Sequence, residues 1–158
     1  MTSDAFACPL IRHDRDQRIA QQPKECSSAM NPIDVVKASY EAMLDRGDLD
    51  GFLSFFADDG VLIEADSLPY GGRFVGPEAI RGALLKVMET YSAFSFKPDI
   101  FTTSGDWVIA YGNFSVTVRS TGKQVSFPLA EATQVVGDKI KLIHPIYSDT
   151  AAILAAMK

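Results

Sequence analysis

The sequence predicts an α+β domain: a curved antiparallel sheet wrapped over three N-terminal helices, with a short helix at the C-terminal end. Two observations carry this. As far as Tyr91 the apolar residues recur mostly at helical spacing, and beyond it their period falls to two. The later strands are separated by Ser104-Gly105-Asp106, Thr121-Gly122 and Gly137-Asp138, breaks short enough for antiparallel hairpins. Helices followed by a run of hairpin strands make an α+β layer rather than a parallel α/β sheet.

Residues 1–30 read as a disordered or appended tail. Asp14, Arg15, Asp16, Gln17, Arg18, Gln21, Gln22 and Pro23 leave no sustained apolar stripe, and Met30 is the expected native start of a domain over 31–158. The first helix opens on Asn31 as cap and Pro32 in the first turn, keeps Ile33, Val36, Tyr40 and Met43 or Leu44 on one face, and stops at Gly47. Asp48 caps a second helix that buries Leu49, Phe52, Leu53 and Phe56 and ends at an Asp58-Asp59-Gly60 turn. A strand over Val61–Ala65 follows, then a loop punctuated by Gly71, Gly72 and Gly76. Pro77 opens a third helix with Ile80, Leu84, Val87, Met88 and Tyr91 at helical spacing. Strands are expected over Phe94–Thr103, Trp107–Arg119, Lys123–Val135 and Lys139–Tyr147, and Ser148 or Asp149 caps a last helix over Thr150–Met157.

Composition narrows the function classes. At 158 residues with 47% hydrophobic and 22% charged, the chain has enough apolar surface for one core. A net charge of -5 and scattered Lys and Arg make a nucleic-acid backbone an unfavourable partner. The apolar cluster Ala5–Ile11 is broken by Pro9 and is too short for a signal peptide or membrane span, so a cytoplasmic protein is expected. Cys8 and Cys26 have no metal-ligand spacing and read as free thiols. No metal cluster, phosphate loop or nucleophile elbow is present in the sequence, which leaves chemistry without a cofactor.

Three stretches carry a resemblance. Ala38-Ser39-Tyr40, Arg46-Gly47-Asp48-Leu49-Asp50-Gly51 and Phe56-Ala57-Asp58-Asp59-Gly60-Val61 resemble the opening of ketosteroid isomerases. Leu68-Pro69-Tyr70-Gly71-Gly72-Arg73-Phe74-Val75-Gly76-Pro77-Glu78-Ala79-Ile80 and Tyr147-Ser148-Asp149-Thr150-Ala151-Ala152 resemble SnoaL-like proteins. Both belong to the nuclear transport factor two-like superfamily, which implies a cone-shaped fold around a pocket for a small apolar molecule. It also implies a homodimer. The superfamily hosts isomerases, cyclases, hydrolases and members that only bind, so the resemblance implies a fold more firmly than a reaction.

In ketosteroid isomerases a first-helix Tyr and a protonated Asp hold the enolate oxygen while a strand-end carboxylate moves the proton. Tyr40 matches the Tyr and Glu64 the proton-moving carboxylate. For the protonated acid, an ungapped match anchored on Pro128 gives Ala130. Strand parity instead puts Glu131 with Val125, Phe127, Leu129, Thr133 and Val135 on the apolar face.

Each candidate has a plainer reading. Glu64, in the apolar run Val61–Ala65, is a base with a raised pKa or a strand-end carboxylate on solvent. Tyr40 is an oxyanion donor or a packed core Tyr bonded to a carbonyl. Glu131 is a second acid or half of a buried pair with His144 or an Arg. His144 shares parity with Ile140, Leu142 and Ile146, as a further acid or a hydrogen-bonded core residue. Tyr70, Trp107, Phe127 and Tyr147 are the substrate-binding candidates, which read equally as packing.

Overall fold

A computed structural model describes residues 30–158; the expected tail, with Cys8 and Cys26, lies outside them. Helix α1 (Pro32–Tyr40) starts where the Asn31 side chain accepts from the Ile33 N–H at 3.0 Å, one of the donors that a helix start leaves without an internal partner. Directly after Tyr40 the helix widens into a π turn over Glu41–Asp45, closed by an Arg46 N–H to Glu41 carbonyl bond of 3.1 Å. Asp48 caps α2 (Leu49–Ser54) through the Gly51 N–H.

The first strand departs from the sequence expectation. Helix α2 ends at Ser54, and β1 (Phe56–Glu64) begins at Phe56, which is a strand residue rather than part of the helix's buried face. Asp58-Asp59-Gly60 lies inside β1 as a bulge. Phe56 faces Ile140, yet the next paired residue, Val61, faces Leu142. The Gly-rich segment expected as loop contains a short edge strand, β2 (Gly72–Val75), antiparallel to β1. Gly72 and Gly76, both at positive φ, bracket it.

Helix α3 (Pro77–Thr90) leads into β3 (Tyr91–Ser104), so Tyr91 opens a strand instead of closing a helix. Strands β4 (Trp107–Val118), β5 (Gln124–Val136) and β6 (Lys139–Tyr147) follow by hairpins, and Asp149 caps α4 (Thr150–Ala156). The sheet order is β2-β1-β6-β5-β4-β3. Every pair is antiparallel except β1 with β6, which are parallel because the whole hairpin run lies between them in sequence.

Curvature has a local cause. A bulge between Pro98 and Ile100 in β3 sits opposite Gly112 of β4, where a Cβ would overlap the Lys97 carbonyl. Only glycine allows the two backbones that approach, and the bulge bends the long strand pair around the helices.

Two apolar clusters fill the concave side. One joins Val35, Val36, Phe52, Leu62, Ile80 and Ile143 of the helices and the β1–β6 half. The other joins Tyr70 of the β1–β2 connection with Phe96, Phe114, Phe127 and Leu129 of the β3–β5 half and Ile153 of α4. Tyr40 and Leu44 touch both clusters. Among the described residues no helix is long and apolar enough to cross a membrane.

Candidate functional site

A cavity of about 100 Å³ lies at the seam between these clusters. Its walls are mostly aromatic and aliphatic, with Phe52 and Leu62 on one side and Phe94, Phe96, Phe114 and Leu129 on the other. Four polar side chains enter it: Tyr40, Glu64, Glu131 and Tyr147.

Backbone register places each of them. Tyr40 ends the regular turns of α1, with its ring set edge-on to Phe96 at 5.7 Å. Glu64 is the last residue of β1 and only 6% exposed. On β5, Glu131 alternates with buried Leu129 and Thr133, so it shares their concave face. Ala130 faces outward, between Tyr111 of β4 and Ile146 of β6, which are 45% and 52% exposed. Of the two registers left open by the sequence, the fold adopts the one with Glu131 inward.

The four groups form two tyrosine–carboxyl pairs. The Tyr40 hydroxyl donates to Glu131 Oε1 at 2.6 Å, and Thr133 Oγ1 donates more weakly to the same oxygen at 3.4 Å. The Tyr147 hydroxyl donates to Glu64 Oε2 at 2.8 Å. The ion pairs among the described residues involve Arg46, Arg81 and Lys141, and none reaches Glu64 or Glu131. With no cation beside them, both acids are governed by burial.

Burial pushes the Glu64 carboxyl up to about 7, against the opposing pull of the Tyr147 hydroxyl, and the charge of Glu131 adds to the rise. Burial likewise pushes Glu131 up to about 7, against the hydroxyls of Tyr40 and Thr133. The Tyr40 phenol is raised well above its usual range by burial and then by Glu131, and Tyr147 is raised by burial and then by Glu64. Both phenols therefore stay protonated as donors. Near neutrality the cavity holds carboxyls that exchange protons readily and phenols that do not.

The family model described as a SnoaL-like domain matches residues 36–143, more than half of the chain, and includes β1 and β5, the strands that carry the acids. The chain belongs to the SnoaL-like family. No curated protein matches it significantly. Among solved structures, an NTF2-like protein of Burkholderia thailandensis is 28% identical with a TM-score of 0.74, over 82% of this chain and 98% of that one. A Xanthomonas campestris protein provisionally named a polyketide cyclase is 23% identical with a TM-score of 0.69, over 80% and 96%. A Catenulispora acidiphila protein of ketosteroid-isomerase-like fold, solved with trimethylamine, is 19% identical with a TM-score of 0.67, over 78% and 91%. The last two likenesses establish fold alone.

Within this SnoaL-like domain the remaining sequence candidates separate. Phe127 packs behind the cavity, its ring 6.2 Å from Tyr147 and 5.7 Å from Phe114. Tyr70 is buried, its hydroxyl 2.8 Å from that of Tyr91. Trp107 is not at the cavity: residues 108, 110, 112 and 114 hold the concave face of β4, and Trp107 has the opposite parity and is 39% exposed.

His144 is also displaced from the site, by a bulge in β6. Val135 pairs with Ile140 while Gln134 pairs with Leu142, which leaves Lys141 as an extra residue. Beyond the bulge the inward residues of this SnoaL-like sheet are Ile143, Pro145 and Tyr147, and His144 sits opposite Ala132 on the other face. Parity counted from Ile140 fails there because alternation restarts after an unpaired residue. Two contributors escaped sequence reasoning. Thr133 carried a signal, its shared parity with Glu131, whereas Tyr91 was masked because it continues the helical spacing of α3.

Proposed function

We propose that this SnoaL-like domain is a cytoplasmic, cofactor-free enzyme that moves a proton on a small enolisable carbonyl compound of steroid-like or polyketide-like character. The observation that carries the reading is the pair of cavity-lining carboxyls, Glu64 buried and Glu131 half-buried, each bonded to a tyrosine, in one apolar cavity. Glu64 acts as the base. It takes a proton from the carbon next to the carbonyl, and the electron pair of that C–H bond becomes the enolate. Charge develops on the carbonyl oxygen, where the Tyr40 hydroxyl, turned from Glu131 Oε1 to the substrate, and a protonated Glu131 donate hydrogen bonds. Return of the proton to a different carbon isomerises the compound; attack of the enolate carbon on a second carbonyl closes a ring.

A carboxyl near 7 suits a base at neutral pH, since it is partly ionised there and still basic enough to accept a carbon-bound proton. The provisional polyketide cyclase among the structural neighbours supports the substrate class. The exposed convex face around Tyr111 and Ile146 supports a homodimer formed through the sheet. Turnover of enolisable steroid and polyketide-like ketones by the wild type and by Glu64→Gln tests the assignment. Loss of about 10²- to 10⁴-fold in the variant is expected, and equal rates would reject Glu64 as base.

A second reading draws on cavity size. About 100 Å³ is well below the roughly 300–1,000 Å³ of a typical small-molecule site. That favours a non-catalytic module holding a much smaller ligand, and the trimethylamine in the C. acidiphila neighbour is of such a size. Native mass spectrometry of the purified protein separates the readings: a small co-purifying ligand that stays chemically unchanged favours binding.

A further inference from the structure

Glu64 has two carboxyl oxygens with different surroundings. Oε2 accepts from Tyr147 at 2.8 Å, and no hydrogen bond reaches Oε1. The Tyr147 ring packs against a touching pair of phenylalanines, edge-on to Phe114 at 5.8 Å and tilted against Phe127 at 6.2 Å, the two phenylalanine rings themselves being 5.7 Å apart. Its own backbone is fixed by the β6 ladder opposite Leu129. A phenol packed against two rings, with its backbone in the ladder and its hydroxyl already bonded to Glu64, has little freedom to swing toward a ligand.

We infer that Tyr147 is a positioning residue: it fixes the rotamer of Glu64 and reserves Oε1 as the oxygen that exchanges a proton in the cavity. This deepens the proposed function and rests on its choice of Glu64 as base. In the proton-transfer step the C–H proton goes to Oε1, Oε2 becomes the carbonyl oxygen of the acid, and Tyr147 continues to donate to it. The bond is stronger to the carboxylate than to the neutral acid, so it holds the ionised form in place before reaction.

The other group acting on Glu64 is Glu131 from β5, and the phenols that face it, Tyr70 of the β1–β2 connection and Tyr91 of β3, are themselves raised by the Glu64 charge. None of these is a cation, so Tyr147 is the group that favours the ionised carboxyl.

The test is a carboxyl-carbon NMR titration of Glu64 in the wild type and in Tyr147→Phe, with Glu64→Gln used to assign the signal. Phenylalanine keeps the ring contacts and removes only the hydroxyl. The Glu64 midpoint should rise by about one pH unit in the variant, and the alkaline-rising limb of turnover should move with it. A midpoint unchanged in a variant with native circular dichroism overturns the inference. A second measurement needs no variant: in the wild type the Cζ signal of Tyr147 should titrate with the Glu64 midpoint, and a flat Cζ signal overturns the inference as well. Absence of turnover with any ketone, alongside the expected shifts, would reject the isomerase reading while leaving the positioning role in place.

Discussion

Tyr40 and Glu131 lie 91 residues apart in sequence and meet at 2.6 Å, the helix contributing the donor and the fifth strand the acceptor. The contact requires the π turn after Tyr40, the bent β3–β4 pair and the β5 register to agree. A slip of one residue in β5 would exchange Glu131 for Ala130 and leave a buried phenol with no carboxyl. The pair thus reports on the assembled fold as well as on its chemistry.

Tyr40→Phe should preserve the edge-on contact with Phe96 and remove the hydroxyl. Turnover of a ketone substrate is expected to fall by about 10²- to 10³-fold, the range for losing one oxyanion donor, with the melting temperature little changed. Steady-state kinetics and thermal unfolding check it, and a loss of fold in place of a loss of rate would contradict the assignment.

Stability should fall as pH rises. The folded pKa of Glu64, about 7, lies above the ordinary glutamate value of 4.5, so between those values the folded state binds more protons than the unfolded state. The slope of unfolding free energy with pH is then negative across that window. Stabilisation from the neutral acid is complete below about 4.5 and lost above 7, amounting to about 3 kcal/mol for a group this deeply buried. Urea denaturation at pH 5, 7 and 8.5 should show the decline in the wild type and a flatter profile in Glu64→Gln. A wild type that is most stable at pH 8.5 would count against it.

Gly112→Ala should destabilise by roughly 1–3 kcal/mol, the range for overpacking a close contact, because the added Cβ meets the Lys97 carbonyl and not a movable side chain. Chemical denaturation measures this directly. A neutral substitution would show that the β3 bulge can relax.

His144→Ala should leave turnover within about twofold of wild type, since residues on the outer face make no contact with the reacting group. A fall comparable to that of Glu64→Gln would return the imidazole to the reaction.

Most of the fold was legible because alternation and turn residues dominate the second half of the chain and helix caps dominate the first. Asn31, Asp48 and Asp149 each cap a helix as expected. The inward position of Glu131 was one of two registers the sequence allowed, because β5 alternates without interruption as far as that residue. What failed failed at bulges. Asp58-Asp59-Gly60 has the composition of a turn but is paired into β1, and Lys141 reverses the facing of the rest of β6; neither leaves a composition signal, because a bulge is defined by the partner strand's register. The Tyr147–Glu64 bond was hidden for the same reason.

The bulge at Lys141 also gives the chain two possible interiors. Held out of the ladder, Lys141 leaves a phenol facing the acids; paired regularly, it would turn Leu142, His144 and Ile146 inward and put an imidazole in that place. Deleting Lys141 would keep Leu142 opposite Gln134 and the phenol inward, so the site should tolerate losing this lysine better than accommodating it in the ladder.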